Sequence, residues 1–362
     1  MPMSSRGPRG LRIAGMVLIL AATPMPALAT TYLIHPDGSG DFPTIQAGVD
    51  AAAPGDVILL GSGVFRGPGN RDVDFHGKTL TVRSQSGHAD ACRIDCEGSA
   101  QAPHRAFRYA TGEGFDAVLD AVTIANGYAR GGWPMNQGGG ILIAAEATPS
   151  IVDCVFEGNH SEMGGAVYCN GASPFFSGCV FRGNSARHAG GALFFADNSF
   201  PVIETCTFVV NAAIDDGGGI TAEWSGVTVT GCTFVRNHAW FGSSVAAWLG
   251  STIVLDATIM AFSTLGGPVD CEDATIWISC CDVYGNDVGD WIGCLAGLEG
   301  IDGNIGADPL FCDLEQEDLH LDAGSPCLPG GECDRMGAWP VGCGSTPATV
   351  VSWGALKSLF RQ

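Results

Sequence analysis

The chain has 362 residues, 46% of them hydrophobic and only 15% charged, so it can bury a large core and is not a disordered polypeptide. Its 53 glycines and 19 prolines follow no G-X-Y period, which excludes collagen. With 17 basic against 38 acidic residues, a formal charge of −21, it carries no electrostatic footprint for nucleic acid or anionic lipid.

The first stretch reads as a targeting segment. Arg6, Arg9 and Arg12 precede the apolar run 13–22, and Ala27-Leu28-Ala29 has the form of an A-x-A cleavage site, which predicts a signal peptide over 1–29. The run is short for a bilayer span, and no transmembrane segment is expected in the mature chain. Removing three arginines and no acids leaves 14 basic and 38 acidic residues, or −24. Export is the expectation, with the protein secreted, periplasmic or on the extracellular surface of a Gram-negative bacterium, and it permits disulfides. Residues 41–54 follow, with Ile45, Val49 and Ala52 at helical spacing behind Pro43 and Thr44. A short helix there would cap the domain that occupies 30–344 and blunt its first sheet edge. Strand-like runs at 57–60 and 80–82 come next.

Self-similarity then dominates. CVFEGN at 154, CVFRGN at 179, CTFVVN at 206 and CTFVRN at 232 place Cys154, Cys179, Cys206 and Cys232 at intervals of 25, 27 and 26 residues. Two residues on stand Phe156, Phe181, Phe208 and Phe234, and five on stand Asn159, Asn184, Asn211 and Asn237. Glycine pairs follow at GGAV (164), GGAL (190) and GGGI (217), with a degraded GSSV at 242. Weaker copies, aligned on Ala121, Ala257 and Cys281, extend the clear repeats over 118–286. Apolar and polar residues alternate over runs of three or four, and no helical period is sustained after residue 53, so helical repeats are excluded. About 25 residues suits three short strands and three turns. Stacked at roughly 4.8 Å, such coils turn each column into a ladder. The predicted fold is all-β, a right-handed single-stranded parallel β-helix, with Cys and Phe inside and Asn in left-handed or tight corners.

Two stretches carry a resemblance. The run HPDGSGDFPTIQAGVDAAAPGDVILLGSGVF at 35–65 looks like the amino-terminal cap and first coil of pectin-lyase-like β-helix proteins, pectinesterases among them. The GGA[VIL] and FxxN motifs resemble repeats of chlamydial polymorphic outer membrane proteins and of the right-handed β-helix repeat family. Pectinesterase likeness implies two aspartates, glutamines and an arginine on one strand face, yet Gln101 and Gln137 are the only glutamines between 86 and 286. Lyase likeness implies an aspartate cluster for calcium with Arg or Lys as base. Asp153 and Asp256 share a column on the alignment above, but Gly178, Thr205 and Gly231 separate them. No motif calls for a metal or another cofactor.

The best chemical constellation lies in the turn expected after each asparagine. Stacking brings Glu162, Arg187, His188 and Asp215 to one edge, where paired carboxylates two rungs apart approach the spacing of an inverting glycosidase. Turns favour such residues whatever the function, and the plain reading of a solvated edge weighs more. Trp224, Trp240 and Trp248 are candidates for stacking on sugar rings. Fifteen cysteines leave at least one unpaired. The four repeat cysteines read as a buried thiol ladder, while those at 271, 280, 281, 294, 312, 327, 333 and 343 crowd the carboxyl third, where disulfides are expected mostly within 271–343 and the less periodic, Cys-rich end and cap occupies 287–344. Residues 345–362 read as a linker and a short basic, aromatic tail, similar to tails that sort secreted bacterial proteins to the surface, or an end without a role. The functional expectation is a secreted or cell-surface β-helix repeat protein, non-catalytic, serving glycan binding or adhesion and surface presentation, with a polysaccharide or cell-surface partner. A polysaccharide lyase or glycoside hydrolase is the alternative.

Overall fold

The computed structural model describes residues 29–331 and 333–344. The expected signal peptide, all but Ala29, and the expected tail lie outside the described residues. The chain winds as a parallel β-solenoid of about ten turns with roughly 26 residues per turn. Ladder one has ten strands, from Thr31–Ile34 to Thr275–Ser279; ladder two has nine, from Gly63–Phe65 to Asp282–Tyr284. Ladder three has five, from His160–Met163 to Thr264–Leu265; ladder four has eight, from Val73–Asp74 to Val269–Glu272.

The fourth strand per coil departs from the expected three. Residues following each asparagine were expected in a turn; instead His160 pairs with Ser185, Ser185 with Ala212 and Ala212 with His238 as parallel strands. The reason lies one residue earlier. Gly158, Gly183, Val210 and Arg236 take the left-handed conformation (φ 62°, 60°, 54° and 53°), so the bend is complete before the asparagine and the chain leaves it extended. The asparagines are therefore not themselves left-handed. They are fully buried, and their amides form a continuous chain. Asn159 Nδ2 donates to Asn184 Oδ1 at 2.9 Å, Asn184 to Asn211 at 3.0 Å, and Asn211 to Asn237 at 3.0 Å. Each second amide hydrogen goes to a carbonyl of the preceding coil, Phe156, Phe181 or Phe208 for the last three. A buried polar column is tolerated because each amide is satisfied on both sides.

The Cys281 copy keeps its register, with Ile278 beside Leu255, but the other two weak copies need a one-residue correction. Leu119 and Val122, not Val118 and Ala121, pair into the columns of Ile151 and Cys154; likewise Leu255 and Thr258, not Val254 and Ala257. Ala121 and Ala257 occupy the left-handed corner that Asp153 and Thr205 share (φ 55°, 49°, 49° and 49°). Asp256 consequently stands beside Thr230 and Ser279, a different column from Asp153 and several coils away. The two aspartates share no cation site.

Inside, Phe156, Phe181, Phe208 and Phe234 are wholly buried and stack with centroids 4.8, 4.8 and 4.4 Å apart and planes within 13°. Cys154, Cys179, Cys206 and Cys232 are buried and unbridged. Their Sγ atoms lie 3.2–3.5 Å from the carbonyls two residues back. Burial pushes the thiols of Cys154 and Cys206 well above the usual range, so they are poor nucleophiles. Alkylation of unreduced, denatured protein followed by mass spectrometry should find all four modified; a Cys154–Cys179 bridge would refute the thiol ladder.

At the amino end the helix is Ile45–Ala51, shorter than the 41–54 stretch. Thr44 Oγ1 caps it by accepting from the Ala47 amide, and Pro54 leaves no room for helix at the residue before it. Gly48 allows the helix to lie against the Ile34 side chain, which an added Cβ would meet at 2.8 Å. At the other end disulfides join Cys271–Cys294, Cys280–Cys333 and Cys312–Cys343. Cys281 and Cys327 remain free and buried. Residues 309–331 and 333–344 do not stop at the last coil. They fold back as a strap over the outer face of ladder two. Trp339 Nε1 donates to Thr207 Oγ1 and the Ala338 amide to Thr233 Oγ1, both at 2.9 Å. Arg182 pairs with Glu317 at 2.8 Å.

Candidate functional site

The glycine pairs build a re-entrant corner between ladders three and four. Gly164, Gly190, Gly217 and Gly242 are left-handed, and a Cβ on any of them would strike the backbone of the strand that follows. The tight bend folds the ends of ladder three toward the outer face of ladder four. A second small core fills the fold: Tyr168 stacks on Phe194 at 5.5 Å, flanked by Leu142, Ala189 and Met163.

Glu162, Arg187, His188 and Asp215 stand together on the rim of this corner. His188 Nδ1 lies 3.1 Å from Asp215 Oδ2 and His188 Nε2 lies 3.4 Å from Glu162 Oε2. Arg187 Nη1 is 3.6 Å from Glu162 Oε1. The imidazole thus sits between the two carboxylates and engages both. Neither carboxylate is free of a partner: Asp215 meets the imidazole, and Glu162 meets both the imidazole and Arg187, so the two do not form an open acid–base pair.

Sequence reasoning passed over Asp216. Its backbone bridges to Ala189 and Phe241, so it occupies a column where neighbouring coils carry small or apolar residues. It is buried, and its Oδ1 finds no partner. Burial, then the charges of Asp215, Asp270 and Glu223, push its carboxyl up to about 7. Glu223 and Asp270 are themselves raised by burial and by neighbouring carboxylates. The signal in the sequence is the Asp215-Asp216 doublet directly before GGGI: alternation sends one acid to the rim and the other into the corner.

The tryptophans do not form one platform. Trp240 directly follows the ladder-three strand His238–Ala239, 58% exposed, above a groove of about 560 Å³ lined also by His160, Arg187, Ile214 and His238. Trp224, 57% exposed, leaves ladder four at its other edge, and Trp248 is half-buried beside Asp270. Gln137 is buried in the corner, paired with Met163 across the coils, while Gln101 is exposed.

Residues 105–259 match the family model described as the right-handed beta helix region. The fold is a right-handed parallel β-helix. The matched stretch covers the coils that carry the Phe and Asn ladders and the whole rim row. No curated protein matches this β-helix chain. No helix among the described residues is long and apolar enough to cross a membrane.

Proposed function

We propose that this β-helix works outside the cell or on its surface as a glycan-binding protein, holding a saccharide along the outside of ladder three without converting it. The observation that supports the reading is Trp240, an indole left open over a groove whose other walls offer imidazole and guanidinium donors. An apolar ring face beside fixed donors suits a sugar, which presents C–H groups on one face and hydroxyls around its edge. The row of Glu162, His188 and Asp215 sets the shape of the adjoining rim.

Purified protein should capture at least one member of a polysaccharide panel, with Trp240→Ala weakening capture about tenfold or more. Glu162→Gln and Asp215→Asn should leave affinity little changed. A panel without any binder, or a Trp240→Ala variant that binds as tightly as the parent, would refute the groove. Asp216 supports a second reading, glycan cleavage, because a carboxyl that keeps its proton near neutral pH can serve as general acid. In that case turnover would appear in the same screen, decline as pH rises past about 7, and drop about 100-fold in Asp216→Asn.

A further inference from the structure

A different pocket, of about 480 Å³, opens on the earlier coils around His104, Arg105, Arg108, Tyr128, Arg130 and Met135. Its charge is out of keeping with the rest of the molecule. Of the eleven arginines among the described residues, eight hold a carboxylate within 4 Å. Arg105 and Arg130 do not, and they line the same pocket. Arg105 is only 9% exposed; its Nη2 donates to the Met135 carbonyl at 2.8 Å, while its Nη1 is buried without an acceptor among the described residues. Burial lowers its pKa to about 10, with Asp72 working the other way, so it stays charged at neutral pH. Among the described residues Asp72 is the one carboxylate lining the pocket, and both its oxygens are engaged: Oδ1 by the Arg105 backbone amide at 3.1 Å, Oδ2 by His104 Nδ1 at 2.6 Å. Arg108 pairs with Asp74 at 3.2 Å and is half exposed, able to turn toward a second anion. Arg130 reaches only the Ala100 carbonyl, at 3.5 Å. Tyr128 forms an aromatic wall, its ring 4.7 Å from that of His160.

A buried guanidinium with an idle N–H, in a protein of charge −21, is costly unless something negative comes to it. We infer that this pocket binds an oxyanion, a carboxylate or a sulfate-type ester, borne on a ligand the size of one or two sugar rings. Arg105 and Arg130 would grip the anion, Arg108 would add long-range attraction, and Tyr128 would pack against the body of the ligand. The inference does not depend on the Trp240 groove, which lies on later coils.

The test uses the full chain with ¹³C-methyl methionine, following the Met135 methyl resonance in the pocket. Acetate and inorganic sulfate serve as probes, titrated at constant ionic strength against chloride. At least one probe should shift the resonance to saturation where chloride does not, and the one that does identifies the anion type. Arg130→Gln should weaken that probe at least fivefold, and Trp240→Ala should leave it unchanged. Arg105→Lys, which keeps the charge but loses the fork, should weaken it similarly. Arg130 makes no buried contact, so its variant stays informative even if a change at Arg105 disturbs folding. No saturation with either probe, or equal affinity in Arg130→Gln, would overturn the proposal.

Discussion

Replacing Phe208 by alanine should lower the unfolding free energy by about 3–5 kcal/mol, and Phe181→Ala should do the same. Phe208 is fully enclosed and stacked on both sides, 4.8 Å from Phe181 and 4.4 Å from Phe234. Truncation removes burial and both ring contacts, and the rigid coils above and below cannot close over the void. Urea denaturation of wild type and variants gives the measurement. A loss below about 1 kcal/mol in both would mean the column is not the core of the coil.

The second large effect is a dependence on pH. Asp282 is wholly enclosed beneath the strap, with the Ala307 amide on Oδ1 and Cys327 Sγ 3.3 Å from Oδ2. Burial, first, and the charges of Asp290 and Asp308 push its carboxyl up to about 7, against the opposing pull of the Ala307 amide and Cys327. In the unfolded chain it returns to about 3.9. Between these values the folded state holds a proton that the unfolded state has lost. The stabilising contribution is therefore complete below about pH 4 and is lost as pH rises to about 7, by up to about 4 kcal/mol. Other carboxyls shift downward and act oppositely, Asp56 and Asp318 among them, so the difference between wild type and Asp282→Asn is what matters. That difference should change steadily across pH 4.5–7.5. Parallel stability curves for the two proteins would rule it out.

The repeat was legible because inward columns tolerate few substitutions: a Phe, a small Cys and an Asn recur wherever the interior has one shape. The copies that slipped by one residue, at Ala121 and Ala257, did so because alanine is as small as the cysteine it was aligned with. Only the backbone shows that these residues sit in the left-handed corner. The extra strand per coil was hidden by composition, since His160-Ser161-Glu162 and Ser185-Ala186-Arg187 read as polar turns, yet a solenoid edge strand needs no apolar face toward solvent. The rim row could be assembled from register alone. Asp216 could not, because its environment comes from Gly217 turning the corner behind it and from acids on other coils. The Arg105 pocket was missed for a related reason: its arginines lie outside the strong repeats, and their want of partners is a property of space.

The strap changes how the molecule must come apart. In a plain solenoid each coil touches only the next, and the free energy is a sum of neighbour terms, so the last coils can peel away one at a time. Here one covalently anchored segment touches five successive strands of ladder two, through Glu317 on Arg182, Trp339 on Thr207, Ala338 on Thr233, Gly337 on Ala257 just ahead of Ile259–Ala261, and Cys327 on Asp282. Peeling any one of these coils strains the contacts of the other four. The carboxyl-terminal half is thereby made to melt as a block, while the coils before Cys179 are left to unzip in sequence.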